Sequence, residues 1–411
     1  MELDDAPRRQ KRAIFFVFDG GTGLGHLRRL SSIARAMQGE FSCLIVTSHR
    51  AAAHWFVPPE CEYIHLPAWD SLLPEKAAYW GREPFLLLAP EAALGFRSDL
   101  LHGIMAAFKP DVVFVDHLPL GMRDELEDII ANTGCLKYLV TRGVQNETED
   151  LARLLFAGRA LEAVEHHYHR VFLAIDPQVF DFGKRYPDFD GVAGKILPVG
   201  YVVEPVERAA IAMRRKARGL KDGDIWTVAS AGGGQTGEAL IAASCALAAA
   251  HRDVAFDIVI GPRSRLSRAD LAAQAAAAGN VVLHEQAQDM HLLHASADIV
   301  ITSGGYNSML ETLQGKARMI CVPNRKSERD EQYLHAASLG AMVAIDSDLD
   351  VTRLPAMFDR ALAGLGDASA DRRDELDFAG AANIKRIVSA DLGLIDGAAP
   401  PGEPPFRAAM P

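Results

Sequence analysis

The chain has 411 residues, 49% of them hydrophobic and 24% charged, enough for two globular domains with a core each. Its formal charge of −11 and pI of about 5.7 argue against nucleic acid as the main partner, because neutralising phosphates needs a basic surface. Five scattered cysteines (Cys43, Cys61, Cys135, Cys245, Cys321) with no C-x-x-C pair argue against a disulfide framework or a zinc site and suggest buried thiols in a reducing compartment.

The N-terminus, MELDDAPRRQKR, is charged and lacks an apolar signal-peptide core. No apolar run reaches the roughly 18 residues of a membrane span, so a cytoplasmic protein is expected. The pattern then predicts strands at Ala13–Phe18, Cys43–Ser48, Glu62–Leu66, Asp111–Asp116, Lys137–Thr141 and Val171–Ile175. Several are apolar throughout, as strands covered by helices on both faces are. After His26, Leu27, Leu30, Ile33, Ala34 and Met37 recur at helical spacing and make one apolar face, with Arg28, Arg29 and Arg35 off it.

One segment breaks the rhythm. Trp69–Phe96 is rich in aromatics, leucine and proline and reads either as a packed excursion or as an exposed loop that meets a substrate. A short strand, a glycine and two prolines in Ile196–Ala210 mark a hinge. Beyond it strands are predicted at Ile225–Ser230, Phe256–Gly261, Asn280–Glu285, Asp298–Ser303 and Arg318–Pro323. Two such series predict an α/β protein of two doubly wound, Rossmann-like domains facing across a cleft, residues 1–203 and 204–390. Residues 391–411, ending in GAAPPGEPPFRAAMP, are expected to be a flexible tail.

Three glycine-rich turns carry the candidate chemistry. The first, DGGTGLGH, leaves the first strand and ends in His26 at the mouth of a helix. It is neither a G-x-G-x-x-G fingerprint nor a P-loop. Gly23 and Gly25 clear space there, and the dipole at a helix N-terminus disfavours an imidazolium, making His26 a candidate base. Asp116 and His117, at a strand end, are alternative candidates. Arg28 and Arg29 are candidates to hold an anionic acceptor. The second turn, AGGGQTG, places Gly233, Gly234 and Gln235 at the first helix mouth of the second half. The third, SGGYNSMLE, offers Ser303, Gly304 and Gly305 at a helix start where a diphosphate can sit, with Asn307 beside them. Glu311 follows on the helix, where a carboxylate can accept hydrogen bonds from both hydroxyls of a ribose.

The segment Glu285–Ala341 resembles the donor-binding half of GT-B glycosyltransferases, and among them the peptidoglycan N-acetylglucosaminyltransferase of family 28 and its relatives. The resemblance rests on Ser303-Gly304-Gly305, Glu311, Val322-Pro323 and RDEQY, and extends in order over residues 13–345. It implies a GT-B fold with an acceptor-side first domain and a nucleotide-sugar-binding second domain. It further implies that Glu331 and Gln332 touch sugar hydroxyls and that the stretch around Met290 meets the base. The opening GLGHLRR is closer to the G-x-GH-x-x-R of nucleotide-sugar hydrolases, and Glu331 stands where the transferase has its first glutamine.

The implied function is transfer of a hexose or N-acetylhexosamine from a UDP-sugar to a hydroxyl acceptor, with inversion, no cofactor and no metal. The partners are then the nucleotide sugar and an unidentified acceptor. No nucleic acid or membrane span is involved, and contact with a membrane surface is not implied. A hydrolase or epimerase of the same architecture, or a non-catalytic nucleotide-sugar-binding protein, are the alternatives. The histidines of HHYHR, the pair His291 and His294, and DSDLD at Asp346–Asp350 read as surface or turn features.

Overall fold

The structure, a computed structural model, describes residues 10–18, 24–49, 53–73, 85–144, 155, 157–185, 192–232, 237–261, 264–323, 331–367 and 371–395. These residues form two parallel sheets, one per lobe. The first contains β1 (Lys11–Val17), β2 (Phe41–Thr47), β3 (Glu62–His65), β4 (Val112–Asp116), β5 (Leu136–Arg142), β6 (Arg170–Ala174) and β7 (Ile196–Pro198). Its spatial order is β3-β2-β1-β4-β5-β6-β7. The second contains β8 (Trp226–Ser230), β9 (Ala255–Val259), β10 (Val281–His284), β11 (Ile299–Thr302), β12 (Arg318–Cys321) and β13 (Ile345–Ser347), in the order β10-β9-β8-β11-β12-β13.

Both orders reverse beside the first strand of the lobe, between β1 and β4 and between β8 and β11. In doubly wound sheets the crevice at that reversal, beyond the carboxyl ends of the strands, is where ligands bind. The continuous apolar runs are explained by burial: Ala13, Ile14, Phe15, Phe16 and Val17 are all within the core. Phe15 of β1 stacks on Phe114 of β4, Phe114 on Tyr138 of β5, and Tyr138 on Phe172 of β6, one aromatic row across the sheet. Helix α1 (Gly25–Met37) covers it with the predicted face of Leu27, Leu30, Ile33, Ala34 and Met37.

In the fold, the structure differs from the sequence reading at the following places. Helix α2 (Gly380–Asp391) does not belong with the second lobe: its Ile384, Ile387 and Val388 join the first lobe's core. Asp391 is no part of a loose tail, since Arg170 donates to both its oxygens at 2.8 Å and the Tyr138 hydroxyl donates at 3.0 Å; residues 396–411 lie outside the described residues. DSDLD is not merely a turn, because Asp346 and Ser347 pair with β12 as an edge strand. Arg29 faces inward with the apolar stripe, only 2% exposed.

The segment from Trp69 packs in part. Trp69, Leu72, Leu73 and Ala93 form their own small core, and helix α3 (Pro90–Phe108) starts within the segment. Phe85 and Leu87 are exposed, and residues 74–84 lie outside the described residues. No helix among the described residues is long and apolar enough to cross a membrane. The five cysteines are free thiols, Cys135 half-buried and the others buried.

The lobes meet at an aromatic seam. The Tyr306 hydroxyl donates to the Ala174 carbonyl at 2.6 Å, its ring stacks on His335, and His335 shares a hydrogen bond of 3.1 Å with the Tyr201 hydroxyl. Burial, and then the charge of Arg142, push the His335 imidazole down to about 4. As pH falls below the ordinary histidine value of about 6.5, the unfolded chain takes this proton first. The contribution is therefore whole above that value and is lost on the way down to about 4, a swing of at most about 3 kcal/mol. The urea midpoint should fall between pH 6.5 and 4.5, and His335→Gln should flatten that slope; an unchanged slope would contradict the neutral, buried assignment.

Candidate active site

The first half of the site lies at the β1/β4 reversal. The chain enters α1 through Gly25, and the first turn of that helix presents His26. Strand β4 ends in Asp116, buried at 8% exposure. His26 Nδ1–H donates to Asp116 Oδ2, and Arg29 Nη2–H donates to Asp116 Oδ1 at 2.6 Å. Arg29 reaches the carboxylate because it lies one turn after His26 on the same helix face. Burial raises the affinity of Asp116 for a proton, but Arg29 and then His26 outweigh it, and the carboxyl is held well below its usual range. With both oxygens engaged, Asp116 orients the imidazole and balances the guanidinium. This leaves Nε2 as the ring nitrogen that can accept a proton.

His117 follows at φ 62°, a left-handed conformation unusual for a residue with a side chain. Its ring lies 5.6 Å from that of His26, and Nδ1 is 2.9 Å from Thr141 Oγ1. Burial, with Arg142 and His26 adding to it, holds this imidazole well below the ordinary histidine range, so it is neutral at pH 7. His26, Asp116 and His117 line a cleft together with Phe16, Phe18 and Met122.

The second half lies at the β8/β11 reversal. Gly304 adopts φ 78°, and an added Cβ would stand 2.4 Å from Cys321 Sγ, so the turn needs glycine. Gly305 then caps helix α4 (Tyr306–Leu313), which carries Asn307 and Glu311. Glu311 is 1% exposed. Its Oε2 accepts from His294 Nδ1 at 2.8 Å, His294 Nε2 lies 2.9 Å from Ser230 Oγ, and Oε1 takes Arg28 from the first lobe. Burial works against its charge, but Arg28 and His294 lower its proton affinity overall.

The two halves face each other closely. A Cβ on Gly25 would lie 3.3 Å from Asn307 Nδ2. Arg142 at the end of β5 pairs with Glu331 at 2.7 Å across the cleft. Glu331 opens helix α5 (Glu331–Leu339) beside Gln332, and Gln332 Oε1 is buried with no hydrogen-bond partner among the described residues. A buried orphan acceptor at a cleft is the kind of group a ligand's hydroxyl satisfies. Ser303 is buried at the turn, and Met290 starts helix α6 (Met290–Ser296), which carries His294. No group of three or more metal-ligating side chains occurs among the described residues.

Residues 231–363 match the family model described as the glycosyltransferase family 28 C-terminal domain. That match covers about a third of the chain and lies within the second lobe. Among solved structures, a calicheamicin glycosyltransferase is 16% identical with a TM-score of 0.58, covering 95% of this chain and 100% of its own. A glycosyltransferase of kitacinnamycin is 15% identical with a TM-score of 0.57, covering 93% and 99%. The UDP-GlcNAc 2-epimerase of Methanocaldococcus jannaschii is 12% identical with a TM-score of 0.58, covering 92% and 99%. These likenesses establish the fold of the whole chain, which is GT-B. No curated protein sequence matches the chain.

The second lobe thus places Ser303, Gly304, Gly305, Asn307 and Glu311 at the turn after β11 and along α4, Glu331 and Gln332 at the start of α5, and Met290 at the start of α6. The first lobe brings His26, Asp116, His117, Gly25 and Arg28 to the cleft. Gly23, Gly233, Gly234 and Gln235 lie outside the described residues. Two partners were not foreseen from sequence. His294 is no surface feature but the buried neighbour of Glu311, and Arg29 is the counter-ion of Asp116. For Arg29 the signal was present: three residues after His26, it had to share that residue's face.

Breaking a buried pair leaves an uncompensated charge, whereas removing both partners does not. Asp116→Ala should therefore cost about 3–5 kcal/mol, and adding Arg29→Met should recover much of it. Denaturant unfolding of the single and double variants checks this; additive losses would mean the two groups are not coupled.

Proposed function

We propose that the protein transfers a sugar from a UDP-sugar to an acceptor hydroxyl, with inversion at the anomeric carbon and without a bound metal. The observation that carries this reading is the facing of the His26–Asp116 pair by the second-lobe wall that holds Glu311. The donor's uridine lies against the second lobe, the base near Met290 and the ribose hydroxyls on Glu311. The diphosphate lies at the α4 N-terminus, where free N–H groups and the dipole favour negative charge. Gln332 and Glu331 reach the sugar.

The acceptor hydroxyl enters through the cleft of the first lobe. As its oxygen attacks the anomeric carbon, His26 Nε2 takes its proton, and the neighbouring Asp116 carboxylate stabilises the imidazolium that forms. The bond from the anomeric carbon to the diphosphate oxygen breaks, and UDP leaves with that electron pair. His117, neutral and anchored on Thr141, offers a hydrogen bond to the substrates without adding charge.

The likeness to UDP-GlcNAc 2-epimerases supports a second reading, a nucleotide-sugar epimerase or hydrolase. The family 28 match favours transfer. Incubation with a UDP-sugar panel and candidate acceptors, with mass detection, separates them: transferred sugar with free UDP supports transfer, whereas epimerised donor or free sugar without acceptor supports the second reading. Turnover should survive EDTA.

Two variants test the assignments. His26→Ala should lower kcat about 10²–10⁴-fold while donor binding holds; unchanged turnover would move the base elsewhere. Glu311→Ala should remove most of the thermal stabilisation that UDP gives the wild type, and an equal rise in both would overturn the ribose assignment.

A further inference from the structure

Glu311 already has a cation. Its Oε2 is held by His294, and its Oε1 is covered by the Arg28 guanidinium in an ion pair without a hydrogen bond, so a ribose hydroxyl can reach Oε1 only by displacing Arg28. Arg28 comes from the other lobe, on α1, two residues beyond His26. Its side chain is 14% exposed, with the guanidinium lying 5.1 Å over the Phe56 ring. A guanidinium this buried is costly without an anion.

The surroundings say where the displaced group goes. Asn307 is four residues, about one turn, before Glu311 on α4, and Gly25 of α1 sits directly against Asn307. The N-termini of α1 and α4 therefore face each other about one turn, roughly 5 Å, from the ion pair. That space is where the donor's diphosphate belongs on the reading above. The same motif occurs a second time, since Glu331, the other carboxylate on the second-lobe wall, is also held by a first-lobe arginine, Arg142.

We infer that Arg28 is a donor-recognition residue that changes partner: it masks Glu311 in the empty protein and binds the diphosphate when ribose hydroxyls take its place. This rests on the nucleotide-sugar reading proposed above. The exchange balances charge at each stage. Before binding, Arg28 offsets Glu311; afterwards Glu311 is held by His294 and two hydroxyls, and Arg28 offsets the phosphates. A nucleoside without phosphates must break the latch and gains nothing in return, so the latch discriminates against it. The role assigned to Arg28 is thus on the donor side and not on an anionic acceptor.

The test compares uridine with UDP on the full-length chain, by calorimetric titration of wild type, Arg28→Gln and Arg28→Lys. In Arg28→Gln uridine should bind at least as tightly as in wild type and UDP more weakly. The preference for UDP over uridine should fall about ten- to a hundredfold, the value of a charge-assisted hydrogen bond. Arg28→Lys should restore part of it, because the charge returns without the planar fork. A preference within about twofold of wild type in Arg28→Gln overturns the hand-off. So does a defect confined to the KM of an anionic acceptor, which would return Arg28 to the acceptor side. If UDP binds the wild type in either of these cases, the donor-site reading stands without the hand-off. If neither uridine nor UDP binds the wild type, the donor-site reading falls and the hand-off with it.

Discussion

The buried carboxylate of Asp116 is the constraint on which the first lobe's half of the site depends. It stands at the end of the central strand β4, at the point where the strand order reverses, and it cannot be there alone. Arg29 and His26, one helical turn apart on α1, both turn to it. That fixes the rotation of α1 about its axis: the face that meets Asp116 also carries Leu30 and Ile33 into the core. Buried ion pairs of this kind add little net stability, since desolvation offsets most of the attraction. What the pair supplies is one orientation for the His26 ring. A second buried pair does the same for the cleft wall. Glu125 accepts from Arg97 at 2.8 Å, from the Trp69 indole at 3.1 Å and from the Arg123 backbone at 2.7 Å. This ties down the turn that follows His117 and carries Met122 into the cleft.

The lobes are held together by more than a hinge. The first lobe's core continues into Tyr306, Met309, Leu310 and Leu339 of the second, and α2 returns from the second sheet to the first. Its entry is tight: a Cβ on Gly380 would stand 2.6 Å from the Tyr201 carbonyl, and the Tyr201 amide donates to Asp377 at 2.7 Å. The chain thus crosses between the sheets twice at one level, near Tyr201. Away from that seam, the contacts across the cleft are polar: Arg28 with Glu311, Arg142 with Glu331. Polar pairs can exchange partners for a ligand, whereas an apolar seam cannot, so the division between fixed and exchangeable contacts follows the chemistry of the residues.

Much of the fold was legible because parallel strands buried on both faces announce themselves as short apolar runs. Ala13–Phe18 and Cys43–Ser48 each lie within two residues of the observed strand bounds. The edge strand Ile345–Ser347 was not legible, because three half-buried residues with two polar side chains carry no such run. Nor was the return of Gly380–Asp391, whose apolar residues fit either lobe; only the three-dimensional position of Arg170 and Tyr138 decides it. In the site, the sequence singled out His26 at a helix mouth, Asp116 at a strand end and Glu311 on a helix after a glycine turn. Their partners were hidden because each comes from a distant element. Asp116 is ninety residues from His26, and His294 lies on a different helix from Glu311, seventeen residues away.

Three groups at the cleft are candidates for proton acceptor in the proposed reaction, and their surroundings differ. Asp116 has both oxygens committed, and neighbouring positive charge favours its ionised form, so it is a poor place to leave a proton. His117 is kept neutral by burial, with Arg142 and His26 opposing any charge it gained. Its left-handed backbone is strain of the sort that concentrates at functional sites. That strain sets its ring against Thr141 and the cleft, which suits a fixed hydrogen-bonding group and not a carrier of charge. His26 alone of the three has a carboxylate in direct contact to stabilise the cation that protonation creates. In the proposed reaction, acid–base duty is therefore assigned to the residue whose partner is charged, and binding duty to the histidine whose partner is a hydroxyl.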